Sequence, residues 1–115
     1  MLVTIINFET VAAIQLFELV SSESMLANIN KASFVSFARY YDTKVAQACY
    51  TAGMYELYTD SISVYIHKMI DEFCIRFYKQ NTIVTKDGVI YFINKLCSNI
   101  IGIINDNISR GETNE

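Results

Sequence analysis

The stretch Asn30–Gln80, NKASFVSFARYYDTKVAQACYTAGMYELYTDSISVYIHKMIDEFCIRFYKQ, decides the fold. It holds no proline and one glycine. At about 100° per residue, Phe34, Phe37, Tyr41, Val45, Ala48, Ala52 and Tyr55 fall on one narrow stripe, flanked by Ala38 and Cys49. Asn30 stands where a helix N-cap is needed. The apolar phase runs on across Thr59, so two organisations are open. One is a single helix over 31–79, about 70 Å long at a rise of about 1.5 Å per residue. The other is a pair of helices with an antiparallel return. A compact chain of this length has a radius of gyration near 13 Å, which favours the pair. The break is expected at Thr59, Asp60 and Ser61, with Ile62, Ile66, Met69, Ile70, Phe73 and Phe77 facing inward beyond it. Ala48, Cys49, Ala52 and Gly53 are all small, which suggests close helix packing as the reason for Gly53.

Working outward, Met1–Ile6 is a short β-branched run, open as strand or as helix lead-in. Asn7 can cap a helix to about Ser21, with Glu9 in the first turn where the helix dipole favours acid. Its apolar face reads as Val11, Ile14, Phe17 and Leu19/Val20, widened by Leu16. SSES at 21–24 is a break, and Met25, Leu26 and Ile29 suggest a short turn of helix. Beyond Asn81 two readings compete. Thr85 can cap a helix over 86–108 whose face is Val89, Phe92/Ile93, Leu96, Ile100, Ile103/Ile104 and Ile108. Alternatively, Asp87-Gly88 can be a hairpin turn. Neither flank of that dipeptide alternates apolar with polar, so the helix is favoured. The fold class is therefore all-α, a compact bundle of four to five helices over 1–108. A minor β element stays open at 1–6 and 82–92, and 109–115 reads as a polar, disordered tail.

The chain has 115 residues, enough for one domain. It is 52% hydrophobic and carries a net charge of −3. Lys31, Arg39, Lys44, Lys68, Arg76, Lys79, Lys86, Lys95 and Arg110 are scattered among acids, which disfavours nucleic-acid binding. Cys49, Cys74 and Cys97 are odd in number and lie in apolar helical contexts, so they read as reduced core thiols of a cytoplasmic protein. No run of 18 apolar residues occurs, and no transmembrane helix or membrane association is expected. Heavy use of Ile, Tyr and Asn, with no Pro or Trp, suits an AT-rich coding sequence of a phage, a virus or a low-GC bacterium.

Ser63, His67 and Asp71 follow one another at four-residue intervals and have the residue types of a hydrolase triad. A regular helix offers no strained nucleophile turn and no oxyanion donors, so they read as a polar helix flank. One His and three isolated Cys give no metal-ligand spacing. Glu56 and Asp60, one turn apart, read as a solvated edge, and no phosphate-cradling loop is present. No catalytic residue, cofactor or metal is expected.

One feature outlasts these exclusions. Behind the core stripe lie Tyr50, Met54 and Leu57, with Tyr40 and Tyr58 at the edge, so the helix is apolar on two opposite sides. Tyr and Met are enriched in interface cores. The expected function is a non-enzymatic protein–protein interaction module acting as a homodimer, for instance a phage- or virus-encoded inhibitor or regulator of a host protein. A winged-helix-like nucleic-acid-binding regulator, with Asp87-Gly88 in the wing, is the alternative. A small hydrolase using His67 is more remote.

Overall fold

In the computed structural model, residues 1–21 and 28–113 are described, and they form four helices with no strand among them. Helix α1 is Leu2–Ser21 and α2 is Lys31–Thr51. Helix α3 covers 55–78 as one continuous helix, and α4 is Lys86–Thr113. Helix α1 packs against α2 and α4, and α2 packs against α3. The turn expected at Met25 and Leu26 lies outside the described residues.

The chain breaks between α2 and α3 at Gly53, six residues before Thr59. Gly53 has φ +72°. Its N–H donates to the Tyr50 carbonyl at 3.1 Å, and the Met54 N–H reaches back to Cys49 O at 2.8 Å. This 5→2 and 6→1 pair is the Schellman helix stop, which needs a left-handed residue between its arms. A Cβ placed on Gly53 would meet nothing within 4 Å. Its role is thus conformational, and close packing is not the reason for it. Asn81, with φ 54°, plays the same part at the end of α3. There the Thr82 N–H donates to Phe77 O at 2.9 Å. Asn is the non-glycine residue that best tolerates this region.

No break occurs at Thr59–Ser61. Instead α3 contains two π segments, Tyr58–Ile62 and Cys74–Tyr78, on either side of the α-helical Ser63–Phe73. A buried line explains the first. Tyr58, Ile62, Ile66 and Ile70 follow one another at four-residue steps. In an ideal α-helix these steps would drift by about 120° in all. The i→i+5 bonding of a π segment underwinds the helix and keeps all four side chains on the core.

Both N-cap readings next to α2 and α4 hold. Asn30 Oδ1 accepts from the Ser33 N–H at 2.8 Å, and Thr85 Oγ1 accepts from the Gly88 N–H at 3.1 Å. Asp87 and Gly88 therefore lie in the first turn of α4, and neither a hairpin nor a wing forms there. The β element considered at 1–6 and 82–92 is likewise absent. Met1–Ile6 enters α1 directly, because Leu2 and Ile6 share the buried side with Thr10, Ala13 and Phe17. Asn7 thus sits inside the helix and caps nothing. The polar tail read from 109 onward is helical as far as Thr113. Ser109 and Arg110 extend the helix because polar side chains do not by themselves stop one.

Two layers of contacts close the core. Phe34 at the start of α2 stacks on Phe73 of α3 at 4.3 Å and meets Phe92 of α4 edge-on at 5.2 Å. Beside it, Tyr41 OH and Thr10 Oγ1 lie 2.7 Å apart. The Thr10 hydroxyl donates to Ile6 O, so Tyr41 is the donor that links α2 to α1. Both connections are pinned through Ile29. Its N–H donates to Val84 O at 2.8 Å, and its carbonyl accepts from Tyr78 OH at 2.7 Å.

The resulting body measures 53 × 27 × 17 Å with a radius of gyration of 15.1 Å. That exceeds the value near 13 Å expected for the length. Its accessible surface is 7325 Å², against about 6,400 Å² for a typical monomer of this mass. A slab this thin covers most helices on one side only.

Two glycine substitutions separate these effects. Gly53→Ala should lower stability by about 1 kcal/mol although it meets no neighbour. Gly102→Ala, in open space in mid-α4, should raise it by roughly 0.5–1 kcal/mol. Urea unfolding of both variants checks the pair, and a neutral Gly53→Ala would refute the Schellman assignment.

Candidate functional site

The five residues singled out for an interface divide between two places. Tyr50 is 72% exposed and lies at the C-terminal end of α2. It meets Tyr55 edge-to-face at 5.9 Å, and Tyr55 stacks on Tyr58 at 5.6 Å. With Thr43, Ala46 and Gln47 these rings line a shallow concavity at the α2–α3 corner. Met54 and Leu57 are half-buried against the core, so their apolar character is mostly spent on the chain's own packing. Tyr40 belongs elsewhere. It borders a groove formed with Leu16, Val20 and Phe37 between the end of α1 and the start of α2. The Lys44 ammonium lies 5.5 Å from its ring centre.

Tyr58 is buried, and a polar chain runs from its hydroxyl. It donates to Asp42 Oδ1 at 2.8 Å. The other oxygen of Asp42 lies 3.4 Å from His67 Nε2, and His67 Nδ1 is 3.4 Å from Ser63 Oγ. The carboxylate that meets His67 is therefore supplied by Asp42 of α2, whereas the sequence spacing had pointed to Asp71 on His67's own helix. A four-residue step on α3 brings Ser63 and His67 together, and helix packing brings Asp42 to them. The arrangement ties α2 to α3. Ser63 occupies a regular helical turn with no backbone N–H left to stabilise an oxyanion, and the His67 side chain is 62% exposed. The geometry is that of a structural clasp.

Five hydroxyls and thiols in and around the core are held protonated. Burial, then the hydrogen bond to Asp42, pushes Tyr58 up to about 12. Burial also pushes Tyr78 up to about 12 and Cys49 up to about 11, and it raises Tyr41 and Cys74. Among the described residues no three His, Cys, Asp or Glu side chains gather as a metal site would require.

Apolar exposure on α1 was missed in the sequence. On α1 the buried face is Leu2, Ile6, Thr10, Ala13, Phe17 and Ser21. Of the residues first read as the inner face, Phe17 is buried and Ile14 half-buried, whereas Val11, Leu16, Leu19 and Val20 are exposed. The outward stripe is Met1, Phe8 and Leu19, with Phe8 69% and Leu19 72% exposed, and half-buried Ile5 and Ala12 and exposed Gln15 complete its spacing. The signal was there: a second alternating three- and four-residue spacing begins at Met1. Placing the helix start at Asn7 hid it, because Met1 and Ile5 fell outside. Helices α1 and α4 are also each long and apolar enough to cross a membrane by length and composition. Neither contains an uninterrupted run of 18 apolar residues. Helix α4 meets the test because it forms much of the core, with Val89, Ile93, Leu96, Ile100 and Ile104 fully buried.

No family model matches the chain, and neither a curated protein nor a solved structure does so.

The raised hydroxyl and thiol values set a pH dependence. These groups are neutral when protonated, and folding favours that form. Their contribution is complete below the ordinary values of Cys and Tyr, near 8.5 and 10, and is lost as pH rises through the folded values. The urea midpoint should stay flat from about pH 7 to 8 and then fall progressively toward about pH 12. Tyr58→Phe removes the donor to buried Asp42 and should cost about 1–3 kcal/mol at pH 7.

Proposed function

We propose that this protein acts without catalysis, as a binding module that pairs through the outer face of α1, and that its working state is a homodimer. The observation that carries the reading is exposed Met1, Phe8 and Leu19, with half-buried Ile5 and Ala12 between them, on a helix whose opposite face is already packed. Exposed apolar surface of this kind marks an interaction site. Its spacing suits a helix–helix seam, and Ala12 at its middle permits close approach. The only charged side chains on α1 are Glu9 and Glu18, which does not suit an anionic lipid surface.

The fuller reading is a phage- or virus-encoded inhibitor or regulator of a host protein. Its support is the small size, the AT-rich residue usage and the tyrosine corner, which this pairing leaves open for a partner. The nucleic-acid alternative loses its wing, since Asp87 and Gly88 are helical.

Light scattering should give twice the 13.1 kDa chain mass. Phe8→Glu or Leu19→Glu should return the mass to that of one chain with the helical circular dichroism unchanged, while Tyr50→Glu stays dimeric. A wild-type protein that is monomeric at about 100 µM, well above the Kd of a stable dimer, would sink the proposal. Vesicle flotation abolished by Phe8→Glu would reassign the face to lipid.

A further inference from the structure

A second site lies where α3 ends and α4 begins. A cleft of about 280 Å³ opens there between the two helices and the connection joining them. Phe73, Phe77 and Phe92 form its aromatic wall. Phe73 stacks on fully buried Phe34, and Phe73 and Phe92 stand 4.9 Å apart. The wall is therefore an extension of the core and is preformed, as ligand pockets usually are. Gly88 borders the opposite side, where the missing side chain leaves room.

The mouth is charged. Arg76 and Lys95 both border it and are both exposed. The Arg76 guanidinium lies 5.5 Å from the centre of the Phe77 ring, so it covers the edge of the aromatic wall. Neither cation has a carboxylate within 4.0 Å among the described residues. Glu72 is also at the mouth, with Lys68 Nζ 4.0 Å from its Oε1. Two cations against one acid make this mouth net positive on a chain whose overall charge is −3. The backbone is irregular at the same place. Arg76 and Phe77 sit in the π segment Cys74–Tyr78, and Asn81 has its positive φ just beyond. π segments inside α-helices occur frequently at functional sites.

We infer that this cleft binds a small molecule with an apolar body and a single terminal carboxylate, the body against Phe73, Phe77 and Phe92 and the carboxylate between Arg76 and Lys95. At about 30 Å³ per water-sized group, the volume holds an apolar tail of eight to ten atoms, the size of a medium-chain fatty acid. Guanidinium and ammonium groups at the rim supply charge-assisted hydrogen bonds to the carboxylate. The inference is independent of α1 pairing, because no residue of α1 borders the cleft.

Octanoate and 1-octanol, which share a tail and differ in the charged head, are the probes. Calorimetric titration of the full chain should give saturable octanoate binding with a Kd below about 1 mM, and 1-octanol should bind at least about five-fold more weakly. Gly88→Met fills the cleft from a helical position where a Cβ meets Thr85 Oγ1 at an ordinary 3.5 Å, and it should abolish octanoate binding. Arg76→Gln combined with Lys95→Gln changes two exposed side chains, keeps the fold, and should weaken octanoate to the level of 1-octanol. Equal affinity for the two probes, or octanoate binding unaffected by the double variant, overturns the inference. So does the absence of binding at about 5 mM, which would leave the cleft to a partner's side chain.

Discussion

A single backbone angle sets the arrangement of this molecule. Without the positive φ of Gly53, α2 and α3 would join into one rod of 48 residues, 31–78, about 70 Å long. The Schellman stop turns that rod back on itself. Phe34 can then reach Phe73, Tyr58 can reach Asp42, and Tyr78 can close over Ile29. Each of these contacts joins residues far apart in sequence, and each exists only because the chain reverses at 52–54. Helices α1 and α4 then cover the hairpin. Apolar packing supplies the bulk of that cohesion, and the buried hydrogen bonds settle how the helices sit against one another.

The buried polar groups are well matched. Thr10, Tyr41, Asp42 and Tyr58 form two short networks that bind α2 to its neighbours on both sides. Among the described residues no buried side-chain nitrogen or oxygen lacks a partner. A polar group left unpaired in such a core would cost more than the bond it replaces. The networks therefore fix the register of α2 against α1 and α3, while the apolar side chains supply the driving force.

Much of the architecture was legible because local chemistry and global packing agree. Asn30 and Thr85 cap helices as their residue types demand, and Val89 through Ile104 keep helical phase over most of α4. Where the reading failed, two local signals competed. Thr59-Asp60-Ser61 has the composition of a break, but the demand to keep Tyr58, Ile62, Ile66 and Ile70 inward was met by underwinding the helix. Gly53 was read for its size, whereas its dihedral angle is what matters. Helix α1 carries two apolar stripes, and sequence alone does not say which one the rest of the chain will cover. The clasp of Asp42 with His67 was equally illegible, because it joins two helices whose relative rotation only packing determines.

The π segments have a consequence for length variation. Each is an α-helical turn with one residue too many, so each marks a place where the chain can lose a residue without losing the helix. A deletion within Tyr58–Ile62 would return that turn to α geometry; the roughly 100° lost with the residue is offset by the underwinding lost with the π segment, so Ile66 and Ile70 stay on the core. The same deletion within Cys74–Tyr78 shortens α3 where Arg76 and Phe77 border the cleft. The two irregularities thus differ in what they touch: the first admits an extra residue while the buried line stays inward, and the second shapes one cleft.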